Sequence, residues 1–296
     1  MAQKDLKSRI GSVKNIQKIT RAMEMVAGAR LRRAEQRIEH LRPYAGAIRR
    51  MTRQAAAAAE NIPSLPILQE HDEIKRVGLL FVTGDRGLAG AFNSQILRAG
   101  LRAANEHEAG GRTVVPYASG RRGTSSLQFR GLELGGSYVG FTDRPAYANA
   151  REIAADLMTG YVDGELDEVE IFYNGYISPL TQEVRRETLL PLQHATILEG
   201  DDEADEDTGH HALVEYEPDP AQILHRLIPD YVEISVYRAL LESTASEHGA
   251  RMTAMRNASE NAGELIEGLT LQMNRARQAE ITQEIMEVVA GAEALG

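Results

Sequence analysis

Hydrophobic residues near the N-terminus recur at a helical spacing. They lie three or four residues apart, with one step of five, which predicts one long helix from Leu6 to about Ala59. The stripe drifts around an ideal helix, as expected where helices supercoil. Its members are Leu6, Ile10, Val13, Ile16, Ile19, Met23, Val26, Leu31, Ala34, Ile38 and Leu41. We expect Pro43 to kink or interrupt the helix, and a linker to follow around Pro63 and Pro66.

A second long helix is predicted at the other end of the chain. Asp219 can cap its first amides, Pro220 suits the first helical position and Gln222 completes a capping box. The helix then continues to the C-terminus, with an expected kink at Pro229. At about 1.5 Å per residue it is a rod on the order of 110 Å long. Steps of four and three define a heptad seam: Leu241, Ala245, His248, Met252, Met255, Ser259, Ala262, Ile266, Leu269, Met273 and Ala276.

The middle of the chain changes from helical spacing to short apolar runs. A buried strand at 76–83 and a second strand at 113–118 alternate with helices that end near Glu108 and Val162. A strand at 169–173 then turns through Asn174-Gly175 and Ser178-Pro179 and returns at 183–189 as a wide hairpin. This order predicts a small α/β domain whose parallel sheet has an antiparallel edge.

The two long helices each need a partner for their apolar stripes. Because they lie at opposite ends of the chain, they can pair only as an antiparallel coiled coil that projects from the inserted domain. The predicted fold class is therefore a mixed α+β and α/β one, with a small Rossmann-like domain inserted in a long coiled coil. The predicted boundaries are 1–60 and 218–296 for the coiled-coil helices and 74–217 for the α/β domain.

Composition narrows the possible chemistry. The chain of 296 residues has no Cys, which excludes disulfides, thiolate metal sites and cysteine nucleophiles. No apolar run approaches the length of a membrane span, and the N-terminal residues lack the apolar core of a signal peptide. We therefore expect a cytoplasmic protein that crosses no membrane.

Charge is distributed unevenly along the chain. Residues 1–53 contain 14 Lys and Arg against four Asp and Glu, whereas the remainder contains 19 basic and 39 acidic residues. A basic arm on an acidic body indicates that the arm meets a partner that the body does not, although a solvated basic face explains the charge equally well. Seven of the nine residues 199–207 are acidic, which favours a solubilising surface loop over a binding loop.

The sequence Gly84–Gly90 follows a strand and invites comparison with a phosphate-binding loop. It lacks the Gly-Lys-Ser/Thr ending of such loops, and its glycines miss the dinucleotide spacing, so a tight turn with close helix–sheet packing is favoured. His210 and His211 are interpreted as solvated loop residues rather than metal ligands. No nucleophile lies at a plausible spacing from a base, and we expect no catalytic residue, metal or cofactor.

Parts of the sequence are also compatible with two other function classes. One is a nucleic-acid-binding protein with a basic coiled-coil arm, because Lys7, Lys14, Lys18 and Arg21 share one helix face. The acidic body and the absence of aromatic residues along this stretch of the arm argue against it. The other is a dinucleotide-dependent enzyme with a helical dimerisation arm. Both alternatives predict binding or activity by the isolated chain.

Three strings of residues resemble the gamma subunits of F-type ATP synthases. They occur in the order of that family and near its spacing, and together they reach from one end of the chain to the other. They are Ser12–Ala27 (SVKNIQKITRAMEMVA), Thr83–Asn93 (TGDRGLAGAFN) and Asn274–Ile285 (NRARQAEITQEI).

The resemblance implies a non-catalytic rotor shaft of a proton-translocating F-type ATP synthase. The shaft would turn within a ring of alternating alpha and beta subunits, and its α/β domain would rest on the epsilon subunit and the membrane c-subunit ring. The chain would then be peripheral to the cytoplasmic face of the cell membrane and contact the membrane only through partner subunits. The residues do not decide whether protons or sodium ions drive rotation, and without Cys the thiol control of the chloroplast form is excluded.

The resemblance also implies roles for three groups of residues. The catch, formed by Arg277, Gln278 and Thr282, would hydrogen-bond to a catalytic-subunit loop. The apolar tip, formed by Ile281, Ile285, Val288, Ala292 and Leu295, would slip inside a hydrophobic sleeve of the ring. The docking stripe, formed by Lys7, Lys14, Lys18 and Arg21 together with Met23, would dock against acidic surfaces of the ring.

Overall fold

The computed structural model describes residues 3–58, 65–71, 73–192 and 220–293. They form two compact units, one of Ala29–Ala250 and one of Met1–Gly28 with Arg251–Gly296. The elements are α1 (Gln3–Ala58), a short 3-10 helix (Pro66–Leu68), β1 (Arg76–Val82), α2 (Phe92–Ala109), β2 (Thr113–Ser119), α3 (Arg121–Phe129), β3 (Gly136–Tyr138), α4 (Tyr147–Val162), β4 (Glu168–Tyr176), β5 (Gln182–Leu190) and α5 (Pro220–Glu293).

A five-stranded sheet in the order β3-β2-β1-β4-β5 forms the centre of the unit Ala29–Ala250. The first four strands in this order pair in parallel, and β5 pairs antiparallel with β4, which confirms the predicted sheet with an antiparallel edge. The Asn174-Gly175 turn prediction was wrong, because Asn174 pairs with Val184 and Gly175 with Glu183 inside the ladder. Strand pairing with β5 therefore overrides the local turn signal of this dipeptide.

Both faces of the sheet are covered. Along β1, Val77, Leu79 and Phe81 belong to one apolar core together with residues of α2 and α3. Leu80 and Val82 point to a second core shared with α4, the 3-10 helix and parts of α1 and α5. This alternation is the two-residue period of a strand, and burial on both faces explains why β1 is an unbroken apolar run.

Within the predicted α/β domain 74–217, two elements were not predicted from the sequence, namely α3 and β3. β3 has three residues and pairs only with β2, so it carries almost no periodic signal. The residue that caps the N-terminus of α3 is Gly120. Its φ of 94° is a backbone conformation that glycine adopts readily and other residues rarely adopt. Only Gly123 and Leu127 of its nine residues are buried, which is too few for a recognisable helical stripe.

The prolines within the long helices do not interrupt them. Pro43 lies inside α1 and Pro229 inside α5, and both helices are continuous, so the break considered at Pro43 does not occur and the kinks at both prolines stay predictions. A proline in a helix interior costs about 3 kcal/mol. Burial of the neighbouring Ile48 of α1 and Leu227 of α5, which share one apolar cluster, offsets that cost.

The unit Met1–Gly28 with Arg251–Gly296 is an antiparallel pair of helices. Leu6 and Ile10 of α1 share an apolar cluster with Leu269 of α5, whereas Gln17 of α1 donates a hydrogen bond to the Ser259 carbonyl oxygen at 3.2 Å. Residue numbers thus rise in one helix as they fall in the other, which confirms the predicted antiparallel coiled coil. The α5 positions of the predicted heptad seam are all buried or half-buried.

The predicted stripe of α1 was wrong at three positions. Ile16, Ile19 and Val26 are 53, 58 and 53% exposed. The seam instead follows steps of four and three that include polar and small residues: Leu6, Ile10, Val13, Gln17, Thr20, Glu24 and Ala27. The predicted stripe took successive steps of three, and each such step rotates the position by about 60° around the helix, away from the partner. A search for apolar residues alone misses Gln17 and Thr20.

Candidate functional site

The crevice at the carboxyl ends of the strands is where a Rossmann-like domain binds its ligands. Here α5 covers it, and two serine hydroxyls of α5 contact the strand ends. Ser243 Oγ lies 3.4 Å from the carbonyl oxygen of Val82, at the end of β1. Ser246 Oγ donates to the carbonyl oxygen of Asn174 in β4 at 3.0 Å. Side chains of the same polypeptide therefore occupy the position of a nucleotide.

The turn after β1 is held by packing rather than shaped as a phosphate cradle. The Gly84 amide donates to the side-chain oxygen of Asn93 at 2.8 Å. A Cβ at Gly84 would lie 2.8 Å from the carboxyl carbon of Glu247. The Glu247 carboxylate thus fills the space beside the turn and would repel a phosphate. Close packing is the reason for this glycine, which agrees with the sequence interpretation.

Asp85 connects the loops at this end of the sheet. Its carboxylate accepts hydrogen bonds from the amides of Arg121, Gly140 and Thr142 at 2.9–3.1 Å, and from the Thr142 hydroxyl at 3.0 Å. Partial burial raises the pKa of Asp85, but these hydrogen bonds outweigh it and the pKa lies below its ordinary value. Thr142 also presents its carbonyl oxygen to Thr244 Oγ1 of α5 at 2.9 Å. Asp85 is therefore a structural hub beneath α5.

The described residues contain no cluster of side chains suited to a metal ion. Within 3–58, 65–71, 73–192 and 220–293 no group of three or more His, Asp or Glu side chains is placed to hold an ion. No helix within the same ranges is both long enough and apolar enough to cross a membrane. The acidic segment 199–207 and the pair His210-His211 lie outside the described residues.

The C-terminal part of α5 carries the predicted apolar tip. Every residue from 277 to 290 is exposed, and Ile281, Ile285 and Val288 are 47, 57 and 72% exposed. Ala292 falls within α5, whereas Leu295 lies outside the described residues. Met286 and Val289 are also exposed and had been missed, although they directly follow Ile285 and Val288 in sequence. They widen the apolar surface from a narrow face to an arc of roughly 160°.

The three catch residues surround the start of this apolar surface. Arg277, Gln278 and Thr282 are all exposed. Thr282 Oγ1 donates to the Gln278 carbonyl oxygen at 2.8 Å, one turn back in the same helix. The hydroxyl oxygen can therefore still accept a hydrogen bond from outside, while the Arg277 guanidinium and the Gln278 amide can donate. The structure places donors and acceptors on adjacent faces of one helical turn.

The basic residues of the docking stripe lie along one exposed face of α1. Steps of seven, four and three keep Lys7, Lys14, Lys18 and Arg21 within about 60° of one another. Met23 is half-buried and lies about 160° from Lys7, so it does not belong to this face. It lies instead on the side of α1 that exposes Ile16, Ile19 and Val26.

Known proteins resemble this chain over nearly its whole length. The family model described as ATP synthase matches residues 2–295. The ATP synthase gamma chain of Rubrobacter xylanophilus is 45% identical over 292 residues, which cover 99% of this chain and 98% of that protein. A relative from Acetobacterium woodii, named as a sodium ion specific ATP synthase gamma chain, is 39% identical and covers 98% of each chain.

Solved structures agree with these sequence comparisons. A chain of the central stalk and c-ring of the Tetrahymena thermophila mitochondrial ATP synthase is 29% identical, with a TM-score of 0.60, over 81% of this chain and 99% of that chain. A chain of the Euglena gracilis mitochondrial ATP synthase reaches a TM-score of 0.69 over 99% of this chain and 94% of that chain, and at 17% identity it shows the fold alone. None of these comparisons favours a nucleic-acid-binding protein. The chain therefore belongs to the family of ATP synthase gamma chains, the central-stalk subunits of F-type ATP synthases.

Proposed function

We propose that this chain is a non-catalytic rotor shaft whose C-terminal helix turns inside the ring of alpha and beta subunits and couples ion flow to ATP synthesis. The observation that carries the proposal is the exposure of residues 277–290 of α5. Five of these residues are large and apolar, and together they form an exposed apolar surface of the kind that marks a contact with other proteins. A sleeve of apolar side chains suits a rotating shaft, because apolar contacts are not directional.

The catch supplies the directional contacts that the apolar tip lacks. Hydrogen bonds from Arg277, Gln278 and Thr282 to a loop of a catalytic subunit would form at one orientation of the shaft and break at others. Hydrogen bonds that involve a charge contribute about 1.5–3 kcal/mol. This is enough to hold an orientation and little enough to be released on each step.

The absence of a catalytic site of its own is part of the proposal. Support comes from the crevice of the α/β domain, where Ser243, Ser246 and Glu247 of α5 occupy the ligand position of a Rossmann-like fold. Hydrolysis and synthesis of ATP would then take place on other subunits. The chain would transmit the rotation that changes the affinity of those sites.

The finer assignments of partners and location follow from the same proposal. The α/β domain would rest on the epsilon subunit and on the membrane c-subunit ring, at the cytoplasmic face of the cell membrane. The docking stripe on α1 would face acidic surfaces of the alpha and beta subunits. Among the relatives one is named as sodium ion specific and others carry no ion in their names, and the proposed coupling role is the same for either ion.

The decisive test is alanine substitution of all three catch residues in the assembled ATP synthase. We expect ATP-driven ion pumping by reconstituted vesicles to fall at least about tenfold, the equivalent of one lost charged hydrogen bond. The amount of assembled complex should change little, because these residues contribute nothing to the coiled-coil seam.

Two comparisons make this test specific. Truncation after Met286 removes part of the apolar tip and should reduce torque without abolishing rotation. Alanine at the exposed Gln272, Asn274 and Arg275, just before the catch, serves as the matched control and should leave pumping near its original rate. If the catch variant pumps as fast as this control, the catch assignment is wrong.

A further inference from the structure

A second exposed site lies on the α/β domain, in a groove between α2 and α3. Its volume is about 570 Å³. Three arginines line it: Arg98 and Arg102, one turn apart on α2, and Arg130 at the end of α3. Arg130 donates to the Ser126 hydroxyl at 2.6 Å, which fixes its guanidinium over the groove.

These arginines form a local excess of positive charge on an acidic body. Within the part of the chain that the structure describes, no ion pair with a carboxylate is formed by any of the three, whereas Arg185, Arg186 and Arg238 all pair with glutamates. The arginines on and beside β5 are therefore paired, whereas those of the groove are not. Unpaired arginines along a groove are what an acidic ligand requires.

The floor of the groove is apolar. Leu97 and Leu101, one turn apart on α2, lie beneath the arginines, and Leu101 is half-buried. Phe129 precedes Arg130 at the end of α3, is not itself one of the lining residues, and is 92% exposed. A fully exposed phenylalanine is uncommon on a protein surface, and aromatic residues with arginine are enriched at the centres of protein interfaces.

The combination of arginines with apolar residues indicates which kind of ligand the groove can bind. A small anion such as phosphate would contact the charges and leave the leucine floor and Phe129 in water. A peptide with carboxylates on one side and apolar residues on the other uses both sets of contacts. The lining positions Ser94, Leu97, Arg98, Leu101, Arg102 and Asn105 follow one face of α2 over three turns, about 16 Å, which is long enough to seat such a peptide.

We propose that the groove between α2 and α3 is a docking site for an acidic amphipathic segment of a partner protein. Its carboxylates pair with Arg98, Arg102 and Arg130, and its apolar residues pack on Leu97, Leu101 and Phe129. This site lies on the compact unit Ala29–Ala250 and does not depend on the roles proposed for the catch or the apolar tip.

The test measures binding of a labelled probe peptide to the full chain by fluorescence anisotropy in low-salt buffer. The probe is a peptide of about 14 residues, four helical turns, made of Glu and Leu with the leucines on one face. We expect saturable binding that weakens as salt is added. Gln at Arg98, Arg102 and Arg130 together should raise Kd at least about tenfold, since each exposed pair contributes modestly.

Two control variants keep the result interpretable. Gln at the exposed Arg32, Arg33 and Arg42 of α1 makes the same change in net charge on another surface and should change Kd less than about twofold. Leu101→Ser should weaken binding of the probe peptide about threefold or more, because it removes part of the apolar floor. Circular dichroism of each variant confirms that the chain is folded.

Three outcomes would overturn the proposal. Equal losses in the two arginine variants would mean nonspecific attraction to a basic surface. A peptide of the same composition without an apolar face that binds equally well would remove the role of the floor. Tighter binding of inorganic tripolyphosphate, or of vesicles containing phosphatidylglycerol, that depends on the same arginines would identify a phosphate site or a membrane surface instead.

Discussion

Two stretches of the single helix α5 differ completely in their surroundings. From Leu227 to Ala250 no residue is exposed, whereas from 277 to 290 every residue is exposed. Polarity does not explain the difference. The buried stretch contains Ser243, Glu247 and His248, at 3, 3 and 1% exposure. The exposed stretch contains five large apolar residues: Ile281, Ile285, Met286, Val288 and Val289.

The difference shows that a residue of α5 is buried where another element of the chain packs against it, whatever the polarity of its side chain. In the buried stretch, polar side chains are tolerated because carbonyl groups of the sheet and its loops accept their hydrogen bonds, as Asn174 does for Ser246. In the exposed stretch, no element of the described chain packs against the apolar side chains. An apolar surface that its own chain leaves uncovered is what the proposed sleeve of alpha and beta subunits would cover.

Truncation of a buried leucine is the strongest way to test this comparison. Leu240 is 2% exposed and belongs to the core shared by α4, β4 and α5. Leu240→Ala should lower the free energy of unfolding by about 2–5 kcal/mol, because it removes buried methyl groups and leaves a cavity. Ile285→Ala, at a residue 57% exposed, should change it by about 0.5 kcal/mol or less. Urea unfolding of the full chain, followed by circular dichroism, measures both.

Equal effects of the two substitutions would contradict the comparison. A large loss from Ile285→Ala in the isolated chain would mean that the tip is already covered, for instance by a second copy of the chain. Dilution separates these explanations, because coverage by a second copy depends on protein concentration.

A smaller effect is expected at Asp85, which holds the loop beneath the buried stretch of α5. The pKa of Asp85 is lowered in the folded chain. Such a carboxyl stabilises the fold above its unfolded pKa of about 3.8, and the contribution is lost as pH falls through the lower folded pKa. Asp85→Asn should therefore cost about 2 kcal/mol at pH 7 and flatten the loss of stability below about pH 4.

The matched control for Asp85 is Asp163→Asn, at an exposed position after α4. It should leave both the stability at pH 7 and its acid dependence nearly unchanged. Should Asp85→Asn follow the acid profile of the unaltered chain, the carboxylate does not hold the loop in the way that its hydrogen bonds indicate.

The smallest effect on stability is expected from charge reversal in the docking stripe, because its basic residues are exposed in the isolated chain. Glutamate at Lys7, Lys14, Lys18 and Arg21 should leave the unfolding of the chain nearly unchanged but weaken assembly with the ATPase ring. Each exposed pair contributes only about 0.2–1 kcal/mol, and the loss should be greatest at low salt. Sedimentation of reconstituted complexes at two salt concentrations measures it.

Reversal of the exposed Arg32, Arg33, Arg42 and Arg50 changes the charge by the same amount elsewhere on α1 and is the comparison for that experiment. If both fourfold variants assemble equally well at low salt, the docking stripe is only a solvated face of the helix.

Strong periodic signals determined much of the fold from sequence alone. The heptad steps from Leu241 to Ala276, the unbroken apolar run of β1 and the alternating strands of the hairpin were all predicted and all lie where expected. Such patterns are decisive because a period of 3.5 or 2.0 residues is compatible with only one kind of packing surface.

Tertiary contacts decided the remainder. The Asn174-Gly175 pair became part of a strand because β5 lies beside it, and Gln17 and Thr20 joined the seam of α1 in place of Ile16 and Ile19. The polar run Ser243–His248 is buried because sheet carbonyls and loop groups meet it, which no local pattern reveals. The periodicity of a segment shows which of its faces could be buried. The elements that pack against that face are formed by residues far away in the chain. For this reason the sequence alone specified most of the helices and most of the strands, and only the folded chain shows which of their faces are left uncovered.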